Sequence, residues 1–152
     1  EIDAGAGDDV IVSTGVTGEF GDIVLGDGDD RVDLTTTTMT GQTLISGGAG
    51  VDEILGSDTD DEIIGGAGAD TLAGGDGADS FIFAAGGGFD RIADFQSGED
   101  IIDLTDFGFG SFDALNLTDV DGTVYLFISE TQSIEFTGID NVSDFSAGDF
   151  LI

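Results

Sequence analysis

Residues 65–73 read GGAGADTLA, and residues 74–82 read GGDGADSFI. Four copies of this nonapeptide, beginning at Gly47, Gly56, Gly65 and Gly74, run in unbroken nine-residue phase. With the nine positions called slots, slot six holds Asp52, Asp61, Asp70 and Asp79, and slot eight holds Ile54, Ile63, Leu72 and Phe81. Upstream the phase survives with slips. One copy begins at Ala4, with Asp9 and Ile11 in those slots, and another at Leu25, with Asp30 and Val32. A copy one residue short begins at Thr17, with Asp22 and Val24. A weak copy begins at Thr38, with Gly41 in slot four, Ile45 in slot eight and Thr43 where aspartate is expected. Phe20 and Thr59 replace the slot-four glycine, and the insertions Ser13–Val16 and Leu34–Thr37 restore the count.

Each slot has a physical reading. Glycines in slots one, two and four allow a tight loop with positive φ at little steric cost. Slots seven to nine form a short strand whose middle side chain points inward by the two-residue period. A single copy cannot bury that side chain, but stacked copies can, so the repeat predicts a solenoid of about eight repeats. Two copies make one coil, and the loops of alternate copies stack along one edge at about 4.8 Å per rung. One edge then carries Asp9, Asp30, Asp52 and Asp70, and the other carries Asp22, Thr43, Asp61 and Asp79. Stacked carboxylates repel one another unless a cation lies between them. Carboxylates together with turned-out backbone carbonyls make the oxygen cage that a hard cation such as Ca²⁺ requires.

Composition points the same way. The 152 residues include 33 acidic side chains against only Arg31 and Arg91, a formal charge of −31. Nucleic acid and anionic membranes would be repelled. No run of apolar residues approaches the ~20 needed to span a bilayer. The absence of cysteine excludes disulfides, and with no His or Lys the common nucleophile–base pairs and His zinc sites are missing, so no catalysis is expected of this chain. There is no signal-peptide pattern at the start, and Glu1 opens in mid-pattern, with Ile2 placed as a slot-eight residue, as expected of a chain cut from something longer.

The nonapeptide resembles the calcium-binding GGxGxDxUx repeat of the RTX (repeats-in-toxin) family over residues 4–82. The resemblance implies an all-β parallel β-roll with calcium held between stacked loops. Its metal ligands would be Asp9, Asp22, Asp30, Asp52, Asp61, Asp70 and Asp79. The carbonyls of Gly5, Gly7, Gly26, Gly28, Gly48, Gly50, Gly66, Gly68, Gly75 and Gly77 would complete about five ion sites. The edge through Asp9 is expected to fill, and the other to be interrupted near Thr43, which supplies no charge.

The repeat stops after Phe83, dividing the chain into a roll at 1–83 and a cap at 84–152. The segment GGGFDRIADFQSGEDIIDLTDFG, residues 86–108, resembles the DxIxDFxxGxDxIDL segment that closes the roll in RTX proteins. Its Asp90, Asp94, Asp100 and Asp103 are candidates for one further calcium site, or are solvated acids flanking two strands. A helical turn is predicted at Ser111–Leu115. Strands at Ala114–Val120 and Thr123–Ser129 join at Asp121-Gly122 as a hairpin, a third strand spans Ser133–Thr137, and a turn of helix falls within Val142–Phe150. Phe107, Phe109, Phe112, Tyr125, Phe127 and Phe136 are expected in the core of this sheet cap or small sandwich. The ending Asp149-Phe-Leu-Ile152 resembles the tail of type I secretion substrates, which implies that Ile152 is the natural C-terminus. The family implies a secreted, extracellular bacterial module that folds on calcium after passing a type I secretion apparatus. The alternative is a structural subunit or tail of a surface layer, adhesin or filament, with self-assembly at an open end of the roll.

Overall fold

The computed structural model describes residues 1–18 and 21–152; Phe20 lies outside them. The chain winds as a flattened solenoid in which successive strands alternate between two sheets. The first sheet contains β1 (Ile2–Ala6), β3 (Ile23–Asp27), β5 (Thr43–Ala49), β7 (Asp61–Ala67), β9 (Ser80–Ile82) and β11 (Ile101–Asp103). The second contains β2 (Val10–Gly18), β4 (Arg31–Met39), β6 (Glu53–Leu55), β8 (Thr71–Ala73) and β10 (Phe89–Ile92). All of these pair in parallel with their neighbours, which are two apart in strand number. This is the expected all-β parallel roll, with β1 to β10 making five coils rather than four.

The slot-eight side chains form two internal columns. Ile2, Ile23, Ile45, Ile63, Phe81 and Ile102 are register partners in the first sheet. Ile11, Val32, Ile54, Leu72 and Ile92 are partners in the second. From Ile23 and Val32 onward each of these is fully buried. Such a stack is dry and close-packed, and the apolar area withdrawn from water is its main favourable contribution.

Two departures follow from strand alternation. In the short copy the inward residues are Ile23 and Leu25, both fully buried, and Val24 faces outward. The strand has slid by one residue, which flips every side chain. The insertions Ser13–Val16 and Leu34–Thr37 do not bulge as loops. They lengthen β2 and β4 into a parallel ribbon that pairs Thr14 with Thr36 and Thr17 with Thr38, and both Thr36 and Thr37 hydroxyls donate to the carbonyl of Ser13.

Both sheets run on past residue 83. β14 (Gln132–Phe136) adds to β10 in parallel, and β15 (Phe150–Leu151) adds to β11 in parallel. β12 (Asn116–Val120) and β13 (Thr123–Ser129) form the predicted hairpin and finish the second sheet antiparallel. Its turn carries Asp121 and Gly122 at φ 55° and 85°, the pairing a tight primed turn requires. The helical turns are single 3₁₀ turns at Phe112–Ala114, Val142–Asp144 and Ala147–Asp149, with another at Thr105–Phe107. Phenylalanines close this end of the core: Phe136 meets Phe145 edge-on at 4.8 Å, and Phe95 lies 5.7 Å from Phe136. Phe107, Phe109 and Phe112 pack partly buried against it. Tyr125 and Phe127 do not belong to the core; Val124 and Leu126 take the inward positions, and the two rings stack on the outer face at 5.8 Å.

The register of β3 is open to measurement. At fixed saturating calcium, Ile23→Ala should cost about 2–5 kcal/mol in urea unfolding, and Val24→Ala less than about 1 kcal/mol. Equal costs at the two positions would contradict the slipped register.

Candidate metal centre

The stacked loops are joined by a repeated contact. The backbone N–H of each slot-six aspartate donates to the carboxylate of the slot-six aspartate one coil later. On the first edge the links are Asp9 to Asp30 (2.7 Å), Asp30 to Asp52 (2.9 Å), Asp52 to Asp70 (2.9 Å) and Asp70 to Asp90 (3.0 Å). On the second edge they are Asp61 to Asp79 (2.8 Å) and Asp79 to Asp100 (3.1 Å). Each of the six accepting carboxylates therefore leans toward the coil before it.

The link uses one carboxylate oxygen. The other is buried and has no hydrogen-bond partner in Asp30, Asp52, Asp70 and Asp79, and Asp9 and Asp61, which accept no link, each have one such oxygen as well. An ionised oxygen buried without a partner is costly, and six of them aligned between coils are worse. The loops beside them are shaped by close backbone approach. A Cβ on Gly68 would run into the carbonyl oxygen of Gly50, and one on Gly66 into that of Gly48; both glycines also have positive φ. The same stacking relates Gly5 to Gly26, Gly7 to Gly28, Gly26 to Gly48 and Gly28 to Gly50. On the second edge Gly75 stacks on the carbonyl of Ser57, and Gly77 on the Thr59–Asp60 peptide.

Orphaned carboxylate oxygens beside a file of main-chain carbonyls fit a hard, oxygen-seeking divalent cation such as calcium. Among the described residues no three acidic side chains converge on a point, so a cage here has to draw on the loop carbonyls. The residues that would hold calcium are the linked aspartates and the glycine loops stacked beside them; bound there, the ion supplies positive charge to the unpartnered oxygens.

Most of the aspartates named from the sequence take these places. Asp22 does not: the one-residue slip of β3 moves it out of the file to an exposed position, and Gly21 stands two residues before the buried Ile23 instead. Asp90, Asp94, Asp100 and Asp103 do not form one site. Asp90 extends the first file and Asp100 the second. Asp94 accepts from the amides of Gly74 and Gly75, both at 3.0 Å, and Asp103 accepts from Thr105 next to it.

The sequence reading missed two further copies. AGGGFDRIA at 85–93 places Gly86 and Gly88 at positive φ ahead of Asp90, and FQSGEDIID at 95–103 places Gly98 ahead of Asp100. Both patterns were present, displaced from phase by short insertions. Two end pieces carried no such signal. Gln132, nearly fully buried, accepts from the amide of Gly86 and donates to the carbonyl of Ala84 at 2.8 Å. Asp149 accepts from the amide of Gly98 and the hydroxyl of Ser97, both at 2.9 Å. One side chain per edge thus stands where the loop of a following coil would be.

Burial pushes Asp52 up to about 6 and both Asp79 and Asp90 up to about 7, with neighbouring aspartates adding to the shift. Asp61, Asp70 and Asp100 are raised as well, again mainly by burial. A carboxylate raised on folding makes the folded state take up protons as pH falls.

A model of the RTX calcium-binding nonapeptide repeat family matches in four copies, over residues 1–15 and 45–81. The chain is also similar to the AlgE6R2 subunit of the Azotobacter vinelandii mannuronan C5-epimerase, at 28% identity and a TM-score of 0.59, covering 99% of this chain and 91% of that one. Similarity to the AlgE6R3 subunit of the same organism's epimerase is 28% identity with a TM-score of 0.51, covering 95% of this chain and 78% of that one. None of the curated proteins matches the chain.

Two outcomes follow. Without metal, the folded fraction should be highest in acid and fall as pH rises from about 4 through about 7, while the calcium concentration needed for saturation should rise as pH falls through that window. Circular dichroism and calcium titration between pH 5 and 8 check this; a metal-free fold that strengthens toward pH 8 would contradict it. Asp70→Asn should lower the number of calcium ions bound in native mass spectrometry by at least one, and Asp22→Asn should leave it unchanged.

Proposed function

We propose that this chain, a calcium-binding RTX repeat module folded as a parallel β-roll, is the folding and export part of a secreted bacterial protein, switched between unfolded and folded states by calcium. The observation that carries the reading is the file of buried carboxylate oxygens with no protein partner. A chain of formal charge −31 with 27 glycines has to overcome both repulsion and a large backbone entropy cost.

Linkage supplies the difference. A site at ten times its dissociation constant contributes about 1.4 kcal/mol, so six linked pairs with one ion each contribute roughly 8 kcal/mol. That is comparable with the net stability of a whole domain. Extracellular calcium modules have dissociation constants of about 0.1–1 mM, so at cytosolic calcium the contribution vanishes. The chain would then stay extended during passage through a type I secretion channel and fold outside. Among the described residues no helix is long and apolar enough to cross a membrane.

The two similar structures are subunits of an epimerase that acts on mannuronan. By analogy, this chain is a non-catalytic companion of an exported protein whose chemistry lies elsewhere.

One observation favours a second reading, as a piece of a surface layer, adhesin or filament. β1 and β2 are the edge strands of their sheets, and Val10 is 69% exposed on the latter. An edge of that kind invites pairing with another chain. Calcium-dependent growth in light scattering would support assembly, and a stable monomer at millimolar calcium would dismiss it.

The main proposal predicts that excess chelator abolishes the β-sheet circular dichroism signal at neutral pH and that calcium restores it cooperatively. A chain that stays folded in chelator overturns the switch.

A further inference from the structure

On the second edge, the gap between the loop at 38–43 and the loop at 56–61 is built differently from the linked gaps that follow it. The file position in the first of these is Thr43, the register partner of Asp61. Its hydroxyl is buried without a partner. The facing loop carries Ser57 and Thr59 in slots two and four, where most other copies carry glycine. Their hydroxyls are engaged. Thr59 Oγ1 donates across the gap to the carbonyl of Gly41 at 3.2 Å. Ser57 donates to Asp61 from both its amide (2.8 Å) and its hydroxyl (3.0 Å). Both bonds go to the same oxygen of Asp61, Oδ2; Oδ1 is buried without a partner. A second crossing bond runs from the amide of Met39 to Asp58 at 2.8 Å.

We infer that this gap is a cation-free latch: the Thr59 hydroxyl does the bridging that calcium does between the other loops, Ser57 occupies one oxygen of Asp61, and Thr43 brings no charge. The charge argument agrees. Only one file carboxylate, Asp61, reaches the gap, and one of its two oxygens already accepts twice from Ser57. A carbonyl that accepts the Thr59 hydroxyl has less to offer a cation. In the glycine loops the carbonyls of slots two and four face the next backbone with no side chain between. The latch therefore sets which gaps take an ion. It also joins the second and third coils by contacts that do not depend on calcium.

This inference rests on the calcium reading of the stacked loops. The test returns the gap to the repeat pattern with the double variant Thr43→Asp/Thr59→Gly and counts ions by native mass spectrometry of the full chain in calcium. The variant should bind one more ion than the parent. A pair of single variants covers the case in which the double variant does not fold. At saturating calcium, Thr59→Val should leave the ion count unchanged and raise the unfolding equilibrium constant about fivefold, the loss of one ordinary hydrogen bond. Thr59→Ser should leave both near the parent values. An unchanged count in the folded double variant, or a Thr59→Val variant with parental stability, overturns the latch alone. A parent chain that binds no calcium would instead overturn the reading on which it rests.

Discussion

Six backbone amides, each handing its proton to an aspartate one coil further on, hold the loop edges of this roll in register. The contact is charge-assisted and therefore stronger than an ordinary hydrogen bond. It is also incomplete, because it satisfies only one of the two oxygens that burial removes from water. The interior columns of isoleucine, leucine and phenylalanine supply the driving force for collapse, but they cannot cancel a row of unpaired negative charge a few ångströms away. The demand for divalent cation arises from that mismatch.

The repeat made the architecture legible because loop, file aspartate and inward apolar residue are tied to fixed slots. Where the slots hold, as from Gly47 to Ile82, every expected aspartate is in its place. The failures have specific causes. Asp22 and Val24 were misplaced because a copy one residue short can keep either its loop or its strand in phase. Burying both Ile23 and Leu25 favours the strand. Asp90 and Asp100 looked like members of one cluster because they are near in sequence, whereas alternate copies go to opposite edges. Gln132 and Asp149 were invisible because their role depends on which side chain reaches the last loop of each edge, and no spacing rule encodes that. Tyr125 and Phe127 were assigned to the core on their aromatic character, and the strand period places them outside.

The two edges are unequal in consequence of these details. The first is an unbroken file from Asp9 to Asp90. The second is interrupted at Thr43, where hydroxyls take over, and resumes at Asp61. Raised carboxylates such as those of Asp52, Asp79 and Asp90 let protons compete with cations for the same oxygens. Acid and calcium thus act as partial substitutes in neutralising the interior, with the difference that only the metal can bind carbonyls of two loops at once.

Because every linked carboxylate leans toward the preceding coil, the stack has a sense, like a row of tiles laid with one overlap. Removing coils from the Asp9 side leaves behind an acceptor, which water or an ion can cover at little cost. Removing them from the Asp100 side leaves an inward amide with nothing to receive its proton, and no cation can substitute there. The roll is therefore tolerant of being lengthened or shortened at one end and not at the other. Gln132 and Asp149 mark the intolerant end, where a dedicated side chain must finish each edge.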